Sequence, residues 1–203
     1  MSLSRTVLVG VTGGIGSGKS VVCRVCALRG IPVYDCDSRA KELMVSSCRV
    51  RNLLSDLIGE DVFLSDGSLD TVCLARHLFS DVEIRRAVEA VVHETVRMDI
   101  RHWLSTMRTP VAVIESAVLH TSSLDKMVDR IWLVDAPERL RVDRVAQRSG
   151  LTEDQIRARM ECQQSEFEGL PSGRTSVIKN DGVIPIIPQI DRLLSGINVN
   201  KII

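Results

Sequence analysis

Aromatic side chains are scarce: phenylalanine, tryptophan and tyrosine together make up 3% of the 203 residues. A core must therefore be built from aliphatic side chains, and a stacking platform for single-stranded nucleic acid is not expected. The chain also lacks an excess of either charge, with 26 basic and 26 acidic residues. No global field draws it to DNA, RNA or an anionic membrane. Long apolar runs are missing as well. Val7–Val11 is too brief for a secretory core or a membrane span, and no later stretch reaches the ~18 apolar residues that a spanning helix needs.

The six cysteines do not make up a complete metal site. Cys23 and Cys26 make one C-x-x-C pair, with no second pair and no nearby histidine to complete four ligands. Both fall on an expected helix and read as core thiols. Without a leader segment they point to a reducing, cytoplasmic compartment. Lysine is short too: five of the 26 basic residues are lysine and 21 are arginine. Arginine grips phosphate with a planar fork, so the skew fits phosphate chemistry, and it fits genome composition equally well.

What remains is an ordinary globular composition, 44% hydrophobic and 26% charged, at the length of one domain. Short apolar runs rich in β-branched residues read as buried strands: Thr6–Val11, Ile31–Tyr34, Val111–Ile114, Ile131–Val134 and Val177–Ile178. Helical patterns lie between them, at Ser20–Arg29, Ser38–Met44, Val50–Ile58, Leu69–Phe79, Val82 to Met107, Glu138–Arg148 and Glu153–Gln163. Strand alternating with helix predicts a three-layer α/β fold around a parallel five-stranded sheet. Two stretches exceed a minimal repeat: a nearly all-helical excursion between the second and third strands, and a polar segment from Arg139 to Thr175. The second carries Arg139, Arg141, Arg144, Arg148, Arg157 and Arg159 and no lysine.

The strongest signal follows the first strand. Gly13-Gly14-Ile15-Gly16-Ser17-Gly18-Lys19-Ser20 satisfies G-x-x-x-x-G-K-[ST], with a buried strand before it and a helical pattern after it. Glycines let the main chain wrap close to phosphate and point its N–H groups inward, and the helix that follows adds the positive end of its dipole. Lys19 can bridge the β- and γ-phosphates, and the Ser20 hydroxyl can complete a Mg²⁺ shell. The expected ligand is a nucleoside triphosphate.

No Asn-Lys-x-Asp element of a GTPase occurs. After the second strand comes Asp35-Cys36-Asp37, and the third strand ends at Glu115. Carboxylates at the carboxyl ends of strands beside a phosphate loop lie where open α/β sheets bind substrates. One can accept a hydroxyl proton as the γ-phosphoryl leaves, and another can organise the metal's water shell. Asp37 also fits as the N-cap of the Ser38 helix. Arg144 and Arg148, four apart, share a helix face and can point into one cleft to stabilise a transferring phosphoryl group. Together these features describe a small-molecule kinase.

At this level of detail the chain resembles the dephospho-CoA kinase family. The resemblance runs from Val9 to about Asn180 and rests on Gly10-Val11-Thr12-Gly13-Gly14-Ile15-Gly16-Ser17-Gly18-Lys19-Ser20, Asp35-x-Asp37-x-x-Ala40, Asp66-Gly67-Ser68-Leu69, His93 and Val113-Ile114-Glu115. It continues through Val128-Asp129-Arg130, the arm residues Arg141, Arg144, Gln147-Arg148 and Arg159-Met160-x-x-Gln163, and Val177-Ile178-x-Asn180-x-Gly182. The resemblance implies a P-loop kinase fold with ATP and Mg²⁺, phosphorylating the ribose 3′-hydroxyl of dephospho-CoA in the last step of coenzyme A biosynthesis. It implies Asp37 as the base on that hydroxyl with Asp35 in support, and Arg144 and Arg148 in an arginine-rich helical lid. His93 would lie near the acceptor pocket, and Asn180 would seat the ATP base.

The corresponding division is a core of residues 1–48, 109–138 and 175–203, a helical acceptor-binding insertion 49–108 and a lid 139–174. Departures from the family pattern are Val21 for a threonine, Glu94 for a proline, Ser149 for an aspartate, Thr175 for an aspartate, and the loop Ala117-Val118-Leu119-His120-Thr121. His120 there reads as a pocket-lining or surface residue. A small-molecule substrate, no nucleic acid, no membrane and a monomer or weak homo-oligomer complete the expectation. Kinases for other nucleosides or nucleotides, and a nucleotide-binding regulator without catalysis, are the readings that compete.

Overall fold

The structure is a computed structural model and describes residues 5–197. They fall into two compact units, one holding the chain up to Asp35 and from Thr106 onward, the other Cys36–Ser105.

The first unit is a five-stranded sheet: β1 (Val7–Thr12), β2 (Val33–Asp35), β3 (Val111–Glu115), β4 (Arg130–Asp135) and β5 (Thr175–Lys179). Every pairing is parallel and the order is β2-β3-β1-β4-β5. All five expected strands are present, with ends displaced by a residue or two. Strand residues alternate between faces. On one face Val9, Val11, Val111, Val113, Trp132 and Val134 pack with Val22, Cys23 and Cys26 of α1 (Lys19–Leu28) and Ile190 of α9 (Ile186–Gly196). Full burial of each such aliphatic side chain is worth about 1.5–3 kcal/mol, which is how a chain so poor in aromatics forms a core. On the other face Leu119 and Val128 lie against Gly10.

Helix α9 goes beyond the expected set. Its Ile186, Ile190, Leu193 and Leu194 make an apolar stripe at helical spacing, all packed in the core. Pro188 in its first turn reads as a breaker, yet first-turn N–H groups have no intrahelical partner, so proline costs little there.

The polar arm also belongs to the first unit. It comprises α6 (Glu138–Ser149), α7 (Glu153–Cys162) and the short α8 (Gln164–Glu168). Gly150 ends α6 in a left-handed conformation, and Thr152 with Gln155 opens α7 as a reciprocal capping box. Val142, Val145 and Ile156 form the arm's own apolar cluster, joined by Leu151, Met160 and Ile15.

The second unit is helical: α2 (Cys36–Ser46), α3 (Cys48–Ile58), α4 (Thr71–Ser80) and α5 (Val82–Ser105). Val88, Val92, Val96 and Ile100 recur every four residues along α5 and are buried. Arg39 of α2 grips Asp99 of α5 with two hydrogen bonds, at 2.8 and 3.1 Å. Ser47 and Asp70 cap α3 and α4. Helix α2 begins at Cys36, two residues before the expected Ser38, so Asp37 is not its N-cap but stands within its first turn. A carboxylate there still complements the helix dipole. Among the described residues no helix is long and apolar enough to cross a membrane.

Candidate active site

Strand β1 lies at the centre of the sheet, with β3 and β2 on one side and β4 and β5 on the other. Loops leaving the strand ends diverge where the order reverses, and the crevice there is the usual ligand position. The glycine-rich segment Gly13–Gly18 leaves β1 at this point and runs into α1. Gly13, Gly16 and Gly18 all have positive φ. The N-cap of α1 is Gly18, at φ 98°, with no side-chain cap and no acidic residue in the first turn. The positive end of this helix is therefore offered outward, as an anion site requires.

Lys19 is the first residue of α1, and its Nζ donates to the Gly13 carbonyl at 2.8 Å, which lays the ammonium group along the loop. Ser20 follows, exposed. Among the described residues the buried Ser17 hydroxyl has no hydrogen-bond partner, which is costly unless a ligand or water supplies one. The Asn180 amide nitrogen occupies the space beside Gly18, where a Cβ would come within 2.1 Å of it.

Carboxylates line the neighbouring strand ends. Asp35 ends β2 and Glu115 ends β3, paired in register, and Glu115 is in turn level with Val11 of β1. Behind them the buried Cys23 thiol hydrogen-bonds Glu115; burial first, and Glu115 second, push that thiol far above its ordinary pKa. Among the described residues no cluster of three His, Cys, Asp or Glu side chains is placed to hold a metal by itself.

Asn180, just after β5, ties the other side of the loop. Its main-chain N–H donates to the Asp135 carbonyl at 2.7 Å and its Nδ2 to the Ser17 carbonyl at 2.7 Å. Arg144 of α6 donates to the Asn180 carbonyl at 3.1 Å, to Asn180 Oδ1 at 3.4 Å and to the Gly16 carbonyl at 3.4 Å. Arg148 stands exposed in the last turn of α6. The fold thus gathers Gly13–Ser20, Asp35, Glu115, Asn180 and Arg144 around the end of β1. Asp37, exposed on α2, and His93, half-buried on α5, belong to the helical unit.

Several contacts have no counterpart in the sequence reading. Gln163 and Arg141 bond the main chain of Ile15 within the loop. Glu166 of α8, buried, accepts the N–H groups of His120 and Thr121 at 3.0 and 2.7 Å and fastens the arm to the loop after β3. His120 is half-buried against Gly169, its Nδ1 3.5 Å from Asp125. The sequence signal for Glu166 is weak: an acid within a polar helix normally faces solvent.

Relatives carry the same architecture. A family model described as dephospho-CoA kinase matches residues 7–185. The dephospho-CoA kinase of Porphyromonas gingivalis is 36% identical over 195 residues, 96% of either chain. A crystal structure of a Thermus thermophilus protein superposes with a TM-score of 0.78 at 32% identity, over 97% of this chain and 98% of that one. The dephospho-CoA kinase of Campylobacter jejuni shares the fold, with a TM-score of 0.64 at 16% identity over 95% and 96% of the two chains. With a family match over most of its length and its phosphate loop formed at the end of a central parallel strand, this chain belongs to the dephospho-CoA kinase family.

Proposed function

We propose that this protein transfers the γ-phosphoryl group of ATP to the ribose 3′-hydroxyl of dephospho-CoA, yielding coenzyme A and ADP. The observation that carries this reading is the open N-terminus of α1, wrapped by the Gly13–Ser20 loop and flanked by the in-register carboxylates Asp35 and Glu115. Such a site grips a polyphosphate by its main chain and keeps acidic groups beside the reacting end.

Lys19 and the loop amides bind the β- and γ-phosphates, apart from the amides of Ile15 and Ser17, which donate to Gln163 and to the Gly14 carbonyl. Asp37 accepts the proton of the 3′-hydroxyl as the new O–P bond forms and the bond from Pγ to the leaving β-phosphate oxygen breaks, with ADP keeping that electron pair. Asp35 supports the acceptor site beside it. Arg144 holds the nucleotide side, and Arg148, four residues along the same helix, stabilises the charge that spreads over the transferring oxygens. Asn180 seats the adenine. Residues 49–108 form the wall for the acceptor, with His93 lining it, and residues 139–174 serve as the lid.

The donor set suits Mg²⁺: the exposed Ser20 hydroxyl is a hard oxygen ligand, and Asp35 and Glu115 supply carboxylates for the water shell. When bound with the nucleotide, that ion neutralises phosphate charge. Everything else is positioning and fixed electrostatics.

A substrate panel tests the proposal. ADP release should require dephospho-CoA, with AMP and free nucleosides giving background rates. Turnover on a nucleoside in place of dephospho-CoA would overturn the acceptor assignment.

A further inference from the structure

Gln163 sits at the junction of α7 and α8. Its Oε1 accepts the main-chain N–H of Ile15 at 2.8 Å, joining residues 148 apart in sequence. The other polar group of Ile15 is also held by the arm, because Arg141 Nε donates to its carbonyl at 2.9 Å. The Ile15 side chain packs into the arm's apolar cluster of Val142, Val145 and Ile156. Amide, carbonyl and side chain of one phosphate-loop residue are thus all fixed by α6–α8.

The loop needs such support. Its glycines make it costly to hold in one shape. A Ser17 N–H to Gly14 carbonyl bond at 3.1 Å and the Lys19 bond to Gly13 brace it from within. Asn180 fastens it from outside at Ser17, toward α1. Ile15 lies in the half nearer β1, where the Arg141 guanidinium also runs so close to Gly14 that a Cβ there would stand 2.3 Å from it. Any part of the loop left loose must be ordered when phosphate binds, and that ordering is subtracted from affinity.

We propose that Gln163 is a positioning residue for the nucleotide: its side-chain oxygen, acting through the Ile15 N–H, keeps the phosphate loop in its binding shape before ATP arrives. The role rests on reading the loop as the nucleotide site, and it is independent of the acceptor's identity. Because the support acts on the loop and not on the γ-phosphate, ATP and ADP affinities depend on it alike.

The test compares Gln163→Ala with Gln163→Met, the second keeping the length and bulk of the side chain while removing the strong acceptor. Both variants should bind ADP and ATP about 5–10-fold more weakly than wild type, the loss expected for one such hydrogen bond. KM for dephospho-CoA and the turnover number at saturating ATP should change by less than about twofold. Loss in the alanine variant with wild-type affinity in the methionine variant would mean that bulk, not the acceptor, matters, and would overturn the proposal. Unchanged nucleotide affinity in both would overturn it too. Wild-type protein that binds ADP but leaves dephospho-CoA untouched would defeat the acceptor assignment alone, and the ADP comparison would still decide the role of Gln163.

Discussion

The Asn180 amide donates to the Ser17 carbonyl at 2.7 Å and fills the space that a side chain on Gly18 would need. A residue after the last strand thereby fixes the turn that starts the first helix, and the absence of a Cβ at Gly18 is what lets it do so. Asn180→Ala removes the bond to Ser17, the side-chain acceptor for Arg144 and the residue proposed to seat the adenine, so ADP binding should weaken at least about fivefold, the loop hydrogen bond alone being worth about 1 kcal/mol. Gly18→Ala should be worse, since it both expels Asn180 and forces a left-handed φ of 98° on a residue with a Cβ. Calorimetric titration with ADP measures both; a Gly18→Ala protein that binds like wild type would contradict this account of the loop.

Asp37 and Lys19 should separate chemistry from binding. Asp37→Asn keeps the shape and removes the proton acceptor, so turnover should fall by roughly 10²-fold or more while ATP affinity stays unchanged. Lys19→Ala should lose both affinity and rate. Steady-state kinetics with equilibrium binding tests the pair, and near-wild-type turnover in Asp37→Asn would remove Asp37 from the role of base.

Glu166 should matter for folding more than for chemistry. Glu166→Ala leaves the N–H groups of His120 and Thr121 without their acceptor. The cost should be about 1.5–3 kcal/mol, a fall in the thermal midpoint of about 3–10 °C for a chain of this size. Glu166→Gln, which retains an acceptor oxygen, should lose less. Thermal unfolding followed by circular dichroism decides, and an unchanged midpoint in the alanine variant would show that the bonds to the loop after β3 contribute nothing.

The thiols should divide by burial. Cys48 and Cys162 are exposed, while Cys23, Cys26, Cys36 and Cys73 are buried. Burial pushes the Cys26 thiol up to about 11, with Arg29 opposing, and raises Cys23 further. A raised thiol pKa means the reactive thiolate is nearly absent at pH 8 and grows only as pH approaches the shifted value. A thiol-specific reagent at pH 8 should therefore titrate Cys48 and Cys162 quickly in the native protein and all six cysteines after denaturation. Rapid native labelling of Cys23 or Cys26 would contradict the packing of α1.

Much of this was legible in the sequence because the signals are local. The β-branched runs around Val9 and Val113 specify buried parallel strands, and Gly13–Ser20 carries its own chemistry in its spacing. Local reasoning failed where the decisive partner is remote. Nothing near Gln163 or Glu166 announces that one meets Ile15 and the other His120 and Thr121, because those contacts exist only once the arm has folded back along the loop. Helix α9 falls outside the expected helical patterns, and its Pro188 is tolerated only because it stands in the first turn. The start of α2 at Cys36 in place of Ser38 shows the same weakness at element ends, where Asp37 can serve a cap or a first turn equally well.

The most direct measurement follows the product itself. Purified protein supplied with ATP, Mg²⁺ and dephospho-CoA should convert dephospho-CoA to coenzyme A with one ADP released per acceptor, and ³¹P spectroscopy should place the new phosphate on the ribose 3′-oxygen. ATP binding with no phosphate appearing on dephospho-CoA would contradict the account.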